Sequence, residues 1–154
     1  MAGDFTITVD GVKELDRSFS RFGENVKDIS PALGDISEAF KQMESKQFTS
    51  MGAFGGTAWQ PLSPATIARK PAGLPMMVRS GKLRGALTGG GGFIKRIKNL
   101  SMVVGADVFY ASYHQRGTRK MPSRLLIKLP ESEKMRWMKI IQSFLVKKAR
   151  EAGL

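Results

Sequence analysis

The stretch FTITVD, residues 5–10, alternates Phe5, Ile7 and Val9 with Thr6, Thr8 and Asp10, the two-residue period of a half-buried strand. Past Gly11 the period changes. Val12, Leu15, Phe19 and Phe22 recur at steps of three and four, which predicts an amphipathic helix reaching about Val26. Ser30 followed by Pro31 predicts a second helix start, with a hydroxyl to cap free amides and a proline tolerated in the first turn. Its apolar stripe is Leu33, Ile36, Phe40, Met43 and Phe48. Asp35 and Glu38 fall early in this helix, where its dipole favours acids.

Residues 50–61, SMGAFGGTAWQP, have the composition of a loop. Ser63 and Pro64 then predict a short helix through Ile67, which PAGLP ends, and Ser80 is placed to cap a second short helix over GKLRGAL. After the turn GGGG at 89–92, FIKRIK and LSMVVGA predict a hairpin joined near Lys98 and Asn99. VFYASYHQ predicts one or two helical turns. LLIKL, alternating Leu125, Ile127 and Leu129, is a fourth strand candidate. The final stretch predicts a long helix whose stripe is Met135, Met138, Ile141 and Leu145, widened by Trp137, Ile140 and Phe144. Glu131 and Glu133 sit at its positive end, Lys147, Lys148 and Arg150 at its negative end, and Gly153 is suited to stop it.

These elements add up to an α+β fold, a small and mostly antiparallel sheet packed by an N-terminal helix pair and the long C-terminal helix. With 154 residues, no internal repeat and no dividing linker, one domain over 1–154 is expected, with flexible loops near 50–62, 88–93 and 116–123. An apolar content of 42% excludes a disordered chain. No window holds the ~18 uninterrupted apolar residues of a membrane span, and the first residues lack the basic and apolar regions of a secretory signal. The absence of cysteine excludes disulfides and thiolate metal sites, and fits a protein made in a reducing cytosol.

Charge changes the picture more. The net charge is +12, unevenly spread. Residues 1–44 hold nine acids and five bases; residues 45–106 hold nine bases and no acid; residues 107–154 hold eleven bases and four acids. A run of 62 residues without an acid points either to an acidic neighbour, nucleic acid or the acidic face of a protein or another subunit, or to a plain solvated basic surface.

Catalysis finds little to work with. No carboxylate lies between Glu44 and Asp107, and His114 is the single histidine, seven residues from its nearest upstream acid. No nucleophile elbow is present, and the scattered acids have no metal-ligand spacing. We therefore expect no catalytic residue, no metal and no cofactor. GGGG lacks the strand–loop–helix setting of a phosphate cradle, and SGKLRG lacks the full lysine–hydroxyl motif. Nucleic-acid contact, if made, is expected to be with phosphates and independent of sequence. Lys82 and Arg84 at a helix start, and Lys95, Arg96 and Lys98 on the hairpin, are the candidates for DNA or an acidic partner.

The stretch YASYHQRGTRKMPSR, residues 110–124, reads as a docking loop for subunits or partners. Tyr110, Tyr113 and His114 offer flat amphipathic surface, with Gln115 beside them. Gly117 permits a tight turn, Pro122 fixes an extended exit, and Arg124 offers a planar fork for carboxylates or carbonyls. Trp59, with Pro61 and Leu62, is expected to anchor the preceding loop to the sheet.

The order of three motifs, WQPLSPATIARK, MMVRSGKLRGAL and YASYHQRGTRKMPSR, resembles the virion morphogenesis or tail completion proteins of tailed bacteriophages. The matching positions are Trp59, Pro61, Leu62, Ser63, Thr66 and Lys70, then Ser80, Gly81, Lys82 and Leu83, then Tyr110, Ala111, His114, Gln115, Gly117, Pro122 and Arg124. Arg116 stands where the pattern has an apolar or aromatic residue, and Leu125 where it continues with proline. The resemblance spans about residues 40–130. It implies a non-enzymatic protein of the virion neck or tail end, made in the host cytoplasm. It further implies a ring, a hexamer, around the channel through which DNA leaves, with other head–tail junction and tail proteins as partners, non-specific contact with channel DNA, and no membrane. The alternative is a basic nucleic-acid-binding module without sequence specificity.

Overall fold

The computed structural model describes residues 12–154; the predicted strand over 5–10 lies outside them. Six α-helices and one hairpin follow in the order α1 (Val12–Asn25), α2 (Ser30–Thr49), α3 (Pro64–Arg69), α4 (Lys82–Leu87), β1 (Phe93–Lys98), β2 (Ser101–Ala106), α5 (Ala111–Arg116) and α6 (Glu131–Ala152). The fold is α+β, as the patterning implied.

α2 is the centre of the molecule, and ten of its residues are buried, from Ala32 to Phe48. The hairpin and α4 cover one side of it and α6 another, while α1 lies on α6. Of the expected N-terminal pair, then, only α2 packs against the sheet, and α4 takes the place given to the long C-terminal helix. The main core joins Phe40, Met43, Phe48, Trp59, Leu83, Ala86, Leu87, Val108 and Leu126. β1 and β2 pair in antiparallel register, Phe93 opposite Ala106 and Lys98 opposite Ser101. Phe93, Val104 and Ala106 pack against the core, so by strand alternation Arg96, Lys98 and Val103 belong to the outer face.

Several local expectations hold, and others are corrected. The Ser63 hydroxyl caps α3, accepting from the Thr66 amide at 3.3 Å. Ser80 accepts from the Lys82 amide at 3.3 Å, although Gly81 is the residue that flanks α4. Ser30 does not cap α2. Ser30 is already the first helical residue, after Ile29, and the Asp28 carboxylate accepts from its amide at 2.8 Å and from its hydroxyl. In α6 the inward face is turned from the expected one: Met135 and Met138 are exposed, while Trp137, Ile140, Ile141, Phe144 and Leu145 are half-buried. Spacing of three and four allows two neighbouring faces, and α1 and α2 cover only one.

LLIKL is not a strand. It is irregular chain in which Leu126 points into the core and Ile127 is exposed, the reverse of the alternation expected. Its backbone groups find side chains rather than a neighbouring strand.

Candidate functional site

Those side chains come from three distant parts of the sequence. Gln47 on α2 donates from Nε2 to the Leu125 carbonyl at 2.8 Å, and Trp59 donates from Nε1 to the same oxygen at 2.8 Å. Gln115 on α5 accepts at Oε1 from the Leu126 and Ile127 amides, 2.7 and 3.0 Å away, and donates from Nε2 to the Ile127 carbonyl at 2.8 Å. One amide side chain thus stands in for a ladder partner and satisfies three backbone groups.

Arg124 completes the tie. It is 4% exposed, and its Nε and Nη2 donate to the carbonyls of Gln60 and Pro61 at 2.8 and 2.9 Å. The planar fork expected for a partner is therefore spent on two carbonyls of the same chain, fixing the Trp59 loop, and Arg124 acts as an internal strut. Trp59 is buried against Phe48, edge to face with centroids 5.4 Å apart. Gly52 (φ 90°) lies against the Trp59 indole, where a Cβ would come within 2.4 Å of Cδ1. Gly117 (φ 76°) turns the chain back so closely that a Cβ would meet the Ser123 amide nitrogen at 2.7 Å. The Arg124 amide donates to the His114 carbonyl at 2.7 Å, and the Ser123 hydroxyl to the Gln115 carbonyl at 2.8 Å.

This framework shapes one wall of a cleft of about 550 Å³. Leu62, Thr66, Arg69 and Lys70 line one side; Met77, Val78, Arg79, Ser80, Gly81, Lys82 and Leu83 form the floor and far side; Tyr110 and His114 close it. All three sequence motifs meet here. Four bases line the cleft and no carboxylate does. Lys70 is partly committed, donating from Nζ to the carbonyls of Leu74 and Pro75 and so closing the PAGLP turn. Arg69, Arg79 and Lys82 form no ion pair with any described carboxylate.

His114 stacks edge-on against Tyr110 at 6.1 Å. Burial, with the Arg124 charge added, holds its imidazole below the ordinary value of 6.5, and its Nδ1 has no hydrogen-bond partner. The ring is neutral at pH 7, and no carboxylate is bonded to it to orient a proton transfer. Among the described residues no group of three or more histidines and acids is arranged to hold a metal ion. What the cleft can do is bind: apolar floor, basic rim, aromatic wall.

The remaining predicted residues scatter. Gln115, Gly117 and Arg124 build the framework. Tyr113 and Pro122 are exposed outside the cleft, as is Pro61. Lys82 lines the cleft, whereas Arg84, Lys95, Arg96 and Lys98 are exposed elsewhere; the Glu38 carboxyl is held below its ordinary value by its hydrogen bond from Lys41, with the Lys95 charge adding to it. The expected basic surface is thus not one face. Sequence reasoning missed Arg69 and Arg79 as rim residues and Phe109 as an exposed aromatic, 82% accessible. A signal for Phe109 was present: Phe109 and Tyr113 form one i, i+4 pair, Tyr110 and His114 the next, and one helical turn cannot bury both.

A model of the phage virion morphogenesis family matches residues 10–144. No curated protein and no solved structure matches the chain. The chain belongs to the phage virion morphogenesis family, and its role is in the structure and assembly of a phage virion.

Proposed function

We propose that this member of the phage virion morphogenesis family completes the tail or joins it to the head, as one subunit of a ring around the DNA channel, and that the basic cleft receives an acidic segment of a neighbouring protein. The observation that carries this reading is the convergence of the three motifs on a cleft with four bases and no acid. A site built to hold a partner needs complementary charge around an apolar floor, and that is its content. The uneven charge of the chain, acidic before residue 45 and strongly basic after it, supports contacts in which different patches of successive subunits meet, which is the geometry of a ring.

Light scattering across protein and salt concentration tests the ring. A closed oligomer, formed alone or on addition of tail components, is the expected outcome; a monomer that gains mass only with added DNA would transfer the reading to nucleic-acid binding, which the exposed Arg84, Arg96 and Lys98 would then serve. The cleft is tested by Arg69→Glu with Arg79→Glu, which should abolish particle assembly in complementation while leaving the monomer folded. His114→Ala should reduce assembly less than about tenfold; a loss of several orders of magnitude would be the mark of catalysis and would overturn the structural reading.

A further inference from the structure

Among the described residues β1 and β2 pair only with each other, so each strand offers an outer edge of backbone donors and acceptors. A two-stranded hairpin is marginal alone and an open edge invites another strand. β1 carries Lys95, Arg96 and Lys98, all exposed. At the other end of the chain, residues 5–10 have strand periodicity, and residues 1–12 hold Asp4 and Asp10 with no base.

Two contacts fix the path of α1, which carries this segment. Ser18 and Arg21 lie against Gly153, just past the end of α6, while Ile29, after α1, donates its amide to Asn99 at the hairpin tip at 2.8 Å. The helix therefore leads away from its own hairpin toward its N-terminus. Residues 13–17 are all exposed, and Leu15 and Phe19 are 50% and 56% accessible, so the first turns of α1 project beyond the body. A helix of 14 residues is about 20 Å long.

We infer that residues 5–10 of one subunit add as a strand to the β1 edge of a neighbouring subunit, with Leu15 and Phe19 packed into the same interface. This rests on the ring reading and names its contact. Acidic ends of the arm face the basic strand, where opposite charges on adjacent strands attract. The arm and the edge are different patches, so the contact is head-to-tail, and rotation repeats it until the ring closes. Backbone pairing supplies affinity, and Phe5, Ile7 and Val9 supply the register.

Hydrogen exchange on the full-length chain, at concentrations on either side of the oligomer transition seen by light scattering, tests the inference. Amides of residues 5–10 and the outward amides of β1 should slow by about tenfold or more in the oligomer only. Ile7→Pro, which removes a ladder donor, should abolish both that protection and the oligomer, with the circular dichroism of the monomer unchanged. An oligomer whose residues 5–10 exchange freely overturns the inference and leaves the ring reading standing. Protection already complete in the dilute monomer also overturns it, because the arm would then pair within its own chain. A chain that stays monomeric at every concentration, with or without tail components, defeats the ring reading and the inference together.

Discussion

Gln47 and Glu44 lie less than one helical turn apart on α2, both buried, and they are treated oppositely. Gln47 is fully used: its Oε1 accepts from the Gly55 amide at 2.8 Å and its Nε2 reaches Leu125. Both oxygens of Glu44 are buried without a partner, as is the Ser37 hydroxyl two turns back on the same helix. Burial pushes the Glu44 carboxyl up to about 8. The difference teaches how polar residues serve this core. A neutral amide placed where irregular chain needs bonds is architecture; an acid placed among apolar neighbours stays protonated and makes the fold depend on pH.

Removing the indole that works beside Gln47 should have the largest effect on the folded chain. Trp59→Ala loses a buried aromatic, its edge contact with Phe48 and one bond to Leu125, and should lower the unfolding free energy by about 4 kcal/mol in denaturant titration. A loss below about 1 kcal/mol would mean that Gln47 and Arg124 hold the loop unaided.

The opposite side of the comparison is sharpened by Glu44→Gln, which cannot ionise. For Glu44 the folded pKa lies above its ordinary value of 4.5, so the unfolded chain releases the proton first. Stability is therefore full below pH 4.5 and declines as pH rises toward about 8. The variant should exceed the wild type by about 3 kcal/mol at pH 7, with the advantage vanishing near pH 4.5. His114 runs the other way. Its folded value is depressed, so its contribution falls away as pH drops below 6.5. The difference between wild type and variant isolates the carboxyl, and a difference independent of pH would show that Glu44 is ionised or solvated.

How much of this was legible beforehand follows the same division. Helices α2 and α6 and the hairpin were readable because their apolar spacing is long and uninterrupted, and the caps at Ser63 and Gly153 because they depend on neighbours in sequence. LLIKL was misread because alternation describes side chains, whereas its conformation is set by Gln47, Trp59 and Gln115, from 11 to 78 residues away. Arg124 was recognised as a carbonyl fork; that the carbonyls belong to Gln60 and Pro61 of the same chain is a fact of tertiary structure. The cleft was half legible. Its motif residues could be named, but Arg69 and Arg79 become rim residues only when α3 and the segment after Pro75 face each other.

The smallest effect on the isolated chain, and the most telling for assembly, is expected at α5, where one helical turn repeats the comparison. Tyr110 and His114 pack inward on each other, whereas Phe109 is almost fully exposed and touches Tyr110 only edge-on, with centroids 5.3 Å apart. A large aromatic held in water gains nothing for the monomer, so Phe109→Ser should change its stability by no more than about 0.5 kcal/mol. Exposed aromatics are the usual anchors of protein contacts, and the same substitution should reduce particle assembly at least about tenfold. The two readouts divide the alternatives. Loss of assembly at unchanged monomer stability assigns Phe109 to an interface beside the basic cleft. A fall in melting temperature of several degrees would instead place its ring among the supports of Tyr110, and the outward face of α5 would then belong to the fold and not to a partner.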